Sequence, residues 1–220
     1  MCGRFTLTSS GEEIARSFEL QNAPRLRPRY NIAPSQEIAA VREEGGRRLL
    51  EPHRWGLIPS WAKDPAIGNR LINARSETAA QKPSFRNAMR SRRCIVPADG
   101  FFEWSGRGPE RRPFLIRMRD SRPFGIAGLW ERWTGEGGEV IESCTLLTCE
   151  ANRVVRELHQ RMPVILEPRS FGRWLDPGQR EAAAVADLLV PCPEDWLDVV
   201  PVSRHVNNAS NDDPACLTPQ

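Results

Sequence analysis

The middle of the chain is crowded with short apolar or alternating runs. Between residues 93 and 149, five such runs are separated by Gly, Pro or charged residues, a pattern typical of strands joined by turns. This spacing predicts a meander or a barrel-like, mostly antiparallel sheet. The five runs are 93–97 (RCIVP), 100–105 (GFFEWS), 113–118 (PFLIRM), 124–130 (FGIAGLW) and 139–149 (EVIESCTLLTC).

Further predicted elements flank this central region. Three strands are predicted at 37–41, 48–58 and 196–203. Four short helices are predicted at 11–20, 150–158, 168–175 and 178–189. Strands in the centre with helices towards the ends predict an α+β fold rather than a repeated βαβ fold. We expect a single domain over residues 2–208, with a central barrel-like sheet and flanking short helices, and a polar, frayed tail at 209–220.

Composition excludes several classes of protein. The 220 residues are 40% hydrophobic and 27% charged, which argues against disordered, collagen-like and coiled-coil chains. The sequence has neither an apolar run of 18 residues nor the apolar region of a signal peptide near its start. We therefore expect a cytoplasmic monomer with no membrane partner. Gly-rich phosphate loops and the GxSxG and HExxH signatures are also missing from the sequence, and we expect no cofactor.

Charge is distributed unevenly along the chain. The net charge is only +3, but residues 70–122 carry thirteen Lys and Arg against five Asp and Glu. Nearly all the cations are arginines, whose planar guanidinium suits phosphate recognition. A basic stretch of this kind indicates either a nucleic-acid surface or an ordinary solvated face.

The six cysteines show no metal-binding pattern. None forms a CxxC pair and the chain has only three histidines, so we expect no metal site and no disulfide framework. Cys94, Cys144 and Cys149 lie in apolar runs and are predicted to be buried. Cys2 differs, because no local apolar run surrounds it.

Cys2 has a chemistry that internal residues lack. Removal of Met1 would leave a terminal cysteine with a free thiol and a free α-amine, whose ordinary pKa near ~8 leaves part of it nucleophilic at neutral pH. Such a pair condenses with an aldehyde: the amine forms a Schiff base and the sulfur closes a five-membered thiazolidine. The alternative is a cysteine that merely happens to stand second.

Three other residues are candidates for the same chemistry. Glu103 lies in an aromatic run, where burial would make it a proton shuttle; strand alternation also permits an outward position. His159 follows a predicted helix and is suited to proton transfer near neutral pH, or it is a surface histidine at a helix end. Asn73 would orient a polar substrate group, or it is a turn residue.

Tryptophan and arginine residues supply candidates for binding a single strand. Trp55 and Trp61 bracket RWGLIPSW and would stack on bases, unless both belong to the core. The candidate phosphate ligands are Arg4, Arg75, Arg86 and Arg161.

Eight ordered motifs resemble those of a known family. They are MCGRF, YNIAPSQ, RWGLIPSWAKD, LINARSETAAQKPSFR, RRCIVPADGFFEW, GIAGLW, LLTCEAN and HQRMPVIL. In this order they resemble the SRAP family, the SOS-response-associated peptidases or abasic-site processing proteins, over residues 2–205. The resemblance implies a single SRAP-type domain that senses abasic sites in single-stranded DNA during replication and crosslinks to them as a thiazolidine through Cys2.

The resemblance also implies roles for residues. Cys2, Asn73, Glu103 and His159 match the family's catalytic positions. The implied DNA contacts are Arg4, Trp55, Trp61, Arg75 and Arg161, and we also expect Gly3 and Arg86 to contact DNA. Replication-fork proteins are implied partners, with nucleoid association in a bacterium and a weak lyase activity if ring closure fails. Two alternatives remain: a cysteine-dependent peptidase, at least for autocatalytic removal of Met1, and a non-covalent single-strand binding module.

Overall fold

Five strands close on one another as a barrel. The structure is a computed structural model that describes residues 2–106 and 108–220, so Met1 lies outside the described residues. Around the barrel each strand pairs with the next in the order β3, β4, β10, β9, β6 and back to β3, and only the β4–β10 pair is parallel. These strands are β3 (Glu37–Glu44), β4 (Arg47–Trp55), β6 (Arg93–Ala98), β9 (Phe124–Thr134) and β10 (Val140–Glu150). The predicted α+β fold with a mostly antiparallel barrel is confirmed.

A second sheet of five strands carries the start of the chain. Its order is β13, β8, β7, β1, β2, and all of its pairs are antiparallel. β1 lies inside this order, between β7 and β2, so residues 5–7 pair with a strand on each side. The strands are β1 (Phe5–Leu7), β2 (Arg29–Ile32), β7 (Gly100–Ser105), β8 (Arg112–Met118) and β13 (Leu197–Pro201).

Three short strands extend the barrel and bring distant segments together. They are β5 (Asn73–Arg75), β11 (Arg161–Pro163) and β12 (Ile165–Leu166). Strand β5 runs parallel to β10 and β11 runs antiparallel to it. Strand β10 therefore brings together two segments that are distant in sequence, one beginning at Asn73 and the other at Arg161.

The helices are short and lie outside the strands. In α1 the Ser10 side chain accepts a hydrogen bond from the Glu13 N–H, and Phe18 stacks on Phe171 at 5.3 Å. The predicted helix at 150–158 is shorter in the structure, and the one at 178–189 is a 3-10 segment over 182–188. The α-helices are α1 (Gly11–Phe18), α2 (Ser76–Ala79), α3 (Arg86–Ser91), α4 (Arg153–Arg156) and α5 (Phe171–Leu175). In the part of the chain that the structure describes, none is long and apolar enough to cross a membrane.

The end of the chain packs against the second sheet. The Asp212 carboxylate accepts hydrogen bonds from the backbone N–H groups of Tyr30 and Asn31, at 2.5 and 3.0 Å, and pairs with Arg29. Cys216 is fully buried. The expected fraying of residues 209–220 is therefore wrong, although the domain boundary at residue 208 stays a prediction. Polar side chains in this segment bind backbone groups of the sheet. The polar composition of residues 209–220 does not reveal such contacts.

Candidate active site

Cys2 lies three residues before β1, the strand that brings the start of the chain into the second sheet. Just after Cys2, the Phe102 N–H donates to the Arg4 carbonyl at 3.0 Å, so residues 2–4 run beside β7. Cys2 is 0% exposed and belongs to the main hydrophobic core. No local apolar run surrounds Cys2 in the sequence, and the apolar groups that bury it come from elements distant in sequence. The predicted burial of Cys94, Cys144 and Cys149 is confirmed.

Asn73 contacts Cys2 directly. Its side-chain Nδ2 donates to the Cys2 carbonyl at 2.8 Å. Its Oδ1 is buried and accepts no hydrogen bond from the described residues. A buried carbonyl oxygen without a donor is costly, so this atom is suited to accept a hydrogen bond from a group that arrives with the substrate or from an α-amine.

Glu103 faces inward from β7. Phe101 lies in the main core and Phe102 in a second cluster, so Glu103 shares the face of Phe101 and is only 5% exposed. Of the two orientations that alternation permits, the inward one is found. Burial and, secondarily, the negative charge of Glu103 raise the pKa of the Cys2 thiol far above its ordinary value. Cys2, Asn73 and Glu103, which we call the inner site, therefore hold a neutral thiol.

His159 lies two residues before β11 and is half-buried. Its Nδ1 lies 2.9 Å from the backbone nitrogen of Arg161 and 3.1 Å from the Arg161 carbonyl oxygen. This contact holds His159 beside β11, which pairs with β10. Strand β5, which begins with Asn73, also pairs with β10. A proton-transfer role for His159 stays a prediction.

Two of the predicted phosphate ligands lie with a carboxylate at the barrel edge. Arg75 is exposed at the end of β5. The Arg161 guanidinium makes a two-pronged ion pair with Glu77, with Nη1–Oε1 at 2.7 Å and Nη2–Oε2 at 2.9 Å. We call Arg75, Glu77 and Arg161 the charged rim. Glu77 was missed in the sequence, although its place in the NARSE segment, four residues after Asn73, was the available signal.

The remaining predicted DNA contacts divide into exposed and internal residues. Trp61 is 55% exposed and Arg86 lies exposed on α3, so both stay candidates, as does half-buried Gly3. The prediction that Trp55 stacks on a base is wrong. Trp55 is 0% exposed, and its indole N–H donates to the Ile72 carbonyl at 2.9 Å.

Arg4 is half-buried and partly engaged inside the protein, so its role as a phosphate ligand stays a prediction. Its Nη1 donates to the Asn31 side chain at 2.8 Å and to the Val206 carbonyl at 2.9 Å. Its guanidinium also lies 5.8 Å from the ring centre of Trp104. Arg4 therefore connects the start of the chain to its C-terminal segment.

Among the residues that the structure describes, one group of metal-ligating residue types lies near that segment. Ligand atoms of His205, Asp213 and Cys216 lie within 4.8 Å of one another. His205 Nε2 is 2.8 Å from the Asp213 carboxylate, and its Nδ1 is 3.1 Å from the Asn211 side-chain nitrogen. Both ring nitrogens are thus engaged in hydrogen bonding within the protein, which accounts for the cluster without an ion.

Comparison with known proteins places the chain in a family. The family model described as SOS response associated peptidase (SRAP) matches residues 1–209. The chain belongs to the SRAP family. Among curated proteins of the family, the abasic site processing protein YoqW of Bacillus subtilis is 41% identical over 221 residues, with 99% of each chain covered. The Escherichia coli protein YedK, which bears the same description, is 31% identical with full coverage of both chains.

Relatives extend to animals and to solved structures. The chicken abasic site processing protein HMCES is 32% identical over all of this chain and 78% of its own. A crystal structure of a Bacteroides thetaiotaomicron protein superposes with a TM-score of 0.89 at 26% identity, with both chains fully covered. A Bordetella bronchiseptica protein gives 0.79 at 32% identity over 92% of this chain and all of its own. The SRAP fold is thus shared across the whole chain.

Proposed function

We propose that this SRAP protein processes abasic sites in single-stranded DNA by forming a covalent thiazolidine through Cys2 after Met1 is removed. Its relatives in Bacillus subtilis, chicken and Escherichia coli are named abasic site processing proteins. The observation that carries the proposal is the inner site, in which Asn73 holds the Cys2 carbonyl and Glu103 lies close enough for its charge to act on the Cys2 thiol.

The state of the thiol favours an amine-first reaction. A cysteine peptidase needs a thiolate, normally produced by a cationic or histidine neighbour that lowers the thiol pKa. Here burial and Glu103 raise the pKa of the Cys2 thiol. A neutral thiol is a poor first nucleophile, whereas the α-amine of Cys2 attacks an aldehyde without needing a thiolate. The raised pKa thus favours the crosslink over the peptidase alternative.

The steps balance with these groups alone. The ring-opened abasic sugar presents an aldehyde at C1′. The Cys2 α-amine adds to that carbon, and loss of water gives a Schiff base. The sulfur then forms a bond to C1′, and the thiol proton passes to the Glu103 carboxylate and from there to the imine nitrogen, which leaves Glu103 as it began. The product is the thiazolidine plus one water, and ring closure is fast because both reacting groups belong to one residue.

The other residues bind and prepare the substrate. His159 donates a proton to the sugar ring oxygen and promotes opening to the aldehyde. Asn73 Oδ1, which is buried and accepts no bond from the described residues, orients the α-amine or a sugar hydroxyl. Arg75, Arg86, Arg161 and the backbone of Gly3 bind phosphates, and Trp61 stacks on a base. The proposal requires that Cys2, which is 0% exposed, becomes accessible once Met1 is removed.

The proposal is tested by intact mass and denaturing gels. Protein mixed with a single-stranded oligonucleotide carrying one abasic site should gain the mass of the DNA less one water, counted from the chain without Met1. Cys2→Ala keeps an α-amine but lacks the sulfur, so we expect only an imine that appears after borohydride reduction. Cys192→Ala removes another buried thiol and should crosslink like the wild type.

Two results would overturn the proposal. One is a stable crosslink of unchanged yield in Cys2→Ala without reduction, since that product cannot be a thiazolidine. The other is the absence of any covalent product from wild-type protein whose mass shows that Met1 is gone. Hydrolysis of peptides added in trans would instead support the peptidase alternative. Monomeric state, cytoplasmic location and contact with replication-fork proteins stay predictions.

A further inference from the structure

The Arg161 guanidinium is already occupied in the DNA-free protein. Of its five N–H groups, one on each Nη atom goes to the Glu77 carboxylate, and Nη2 also donates to the Thr148 carbonyl at 2.5 Å. The Nε atom is buried. One Nη1 hydrogen is therefore left for another ligand, and a phosphate cannot bind the guanidinium in the two-pronged manner that makes arginine a strong phosphate ligand.

Glu77 lies where two cationic groups converge. It lies two residues after Arg75, and both arginines act electrostatically on its carboxylate. Its hydrogen bonds with Arg161 hold the pKa of Glu77 below the ordinary value, so it is charged at neutral pH. Its side chain is 49% exposed, whereas that of Arg161 is only 16% exposed. A carboxylate in this position presents to the arginines the same paired oxygens and negative charge as a DNA phosphate.

We propose that Glu77 occupies the phosphate position of the charged rim and that a DNA phosphate must displace it to bind Arg161. This inference rests on the proposed single-stranded DNA substrate. The exposed Glu77 side chain is free to swing towards solvent from the end of the short helix α2. Arg161 does not move with it, because the carbonyl of fully buried Thr148 continues to hold Nη2.

This arrangement makes Glu77 a regulator of affinity. Each DNA molecule must compete with an internal anion, so undamaged single strands are bound more weakly than the two arginines alone would allow. Removing the charge should therefore strengthen binding, whereas a supporting ion pair would weaken binding when broken. The sign of the effect distinguishes the two roles.

The test measures equilibrium binding of an undamaged fluorescent single-stranded oligonucleotide by anisotropy. We expect Glu77→Gln to raise affinity about three- to tenfold at low salt, with a smaller gain at high salt because salt screens the exposed carboxylate that the substitution removes. Glu150→Gln is the matched control. Glu150 lies opposite Arg161 on β10 and carries the same charge, but the hydrogen bonds of the guanidinium go to other groups. We expect it to change affinity less than twofold.

A double-mutant comparison locates the effect. The gain from Glu77→Gln should vanish in an Arg161→Gln background, and thermal midpoints should show that all variants fold. Equal or weaker binding by folded Glu77→Gln would overturn the inference, as would an equal gain from Glu150→Gln. Wild-type crosslinking to abasic DNA is scored separately: if it occurs while Glu77→Gln gains no affinity, only this inference fails, and if it does not occur, the proposed function fails first.

Discussion

The inner site and the charged rim are built by opposite principles. Cys2 and Glu103 are at most 5% exposed, and the hydrogen bond of Asn73 to the Cys2 carbonyl joins segments 71 residues apart. The rim consists of charged groups, of which Arg75 and the Glu77 side chain are exposed. Salt screens exposed charges but not buried contacts. Under the proposed function, the fold therefore fixes the chemistry, whereas charge and ionic strength adjust the binding of DNA.

The two tryptophans of RWGLIPSW should show the largest difference between a buried and an exposed position. Trp55 packs edge-on against Phe5 at 5.2 Å and so supports β1, the strand that begins three residues after Cys2. We expect Trp55→Ala to lower the free energy of unfolding by about 3–5 kcal/mol. Trp61→Ala, by contrast, should change it by less than about 0.5 kcal/mol and weaken single-strand binding. Urea unfolding and anisotropy measure both; an equal loss of stability in the two variants would contradict the separation.

Glu103→Gln isolates the chemistry of the inner site. The amide keeps the shape but cannot take the thiol proton, so we expect crosslinking to slow by about 100-fold. Because Glu103 is buried, the factor should be the same at low and high salt. Single-turnover gels at saturating abasic DNA measure the rate, and anisotropy with undamaged DNA provides the control. A wild-type rate would remove Glu103 from the proton transfer.

Alkaline pH should lower the free energy of unfolding through the buried thiols and not through the charged rim. Burial raises the pKa of Cys149 and Cys192 to about 12, from an ordinary value of 9.0. Their contribution to stability is full below pH 9 and is lost as the pH rises towards 12, by about 1.4 kcal/mol per pH unit for each thiol. Urea unfolding between pH 8 and 10.5 measures the slope.

Cys192→Ala is the control for this alkaline effect. The variant should show a smaller decrease of stability per pH unit, by the amount that one thiol contributes. The reason is that the unfolded variant has one fewer thiol proton to lose. An unchanged slope would mean that the buried thiols do not cause the alkaline loss.

Arg75→Gln should produce the smallest effect and confine it to binding. We expect affinity for single-stranded DNA to fall about threefold to tenfold at low salt, with a smaller difference at high salt. At saturating DNA the crosslinking rate should equal that of the wild type, because Arg75 lies outside the inner site. A lower rate at saturation would show that rim and inner site are coupled.

The sequence predicts the barrel well because each strand run has its own local pattern. It does not predict which face Glu103 takes, since Phe101 and Phe102 are equally apolar and only the pairing of β7 with β1 and β8 decides between them. Trp55 and Trp61 likewise look alike in sequence. The contact that makes Trp55 internal is with the Ile72 carbonyl, 17 residues away.

Arg4 and the C-terminal segment show a second limit of sequence reasoning. An arginine in a candidate binding motif and a polar tail both suggest exposure. In the structure they satisfy each other: Asn31 accepts from Arg4 and donates to the carbonyls of Val206, Asn208 and Asn211. Polar side chains that bind distant backbone groups leave no periodic pattern, so such contacts become visible only when the fold is known.

The hydrogen bond between Arg4 and Val206 can form only late in the synthesis of the chain. The two residues are 202 positions apart, and a ribosome that adds roughly 5–20 residues per second needs about 10–40 seconds to connect them. Arg4 lies two residues from Cys2, so a nascent polypeptide lacks this support of the inner site until residue 206 has left the ribosome. Under the proposed function, a chain that is still being translated therefore does not yet hold Cys2 in its final surroundings.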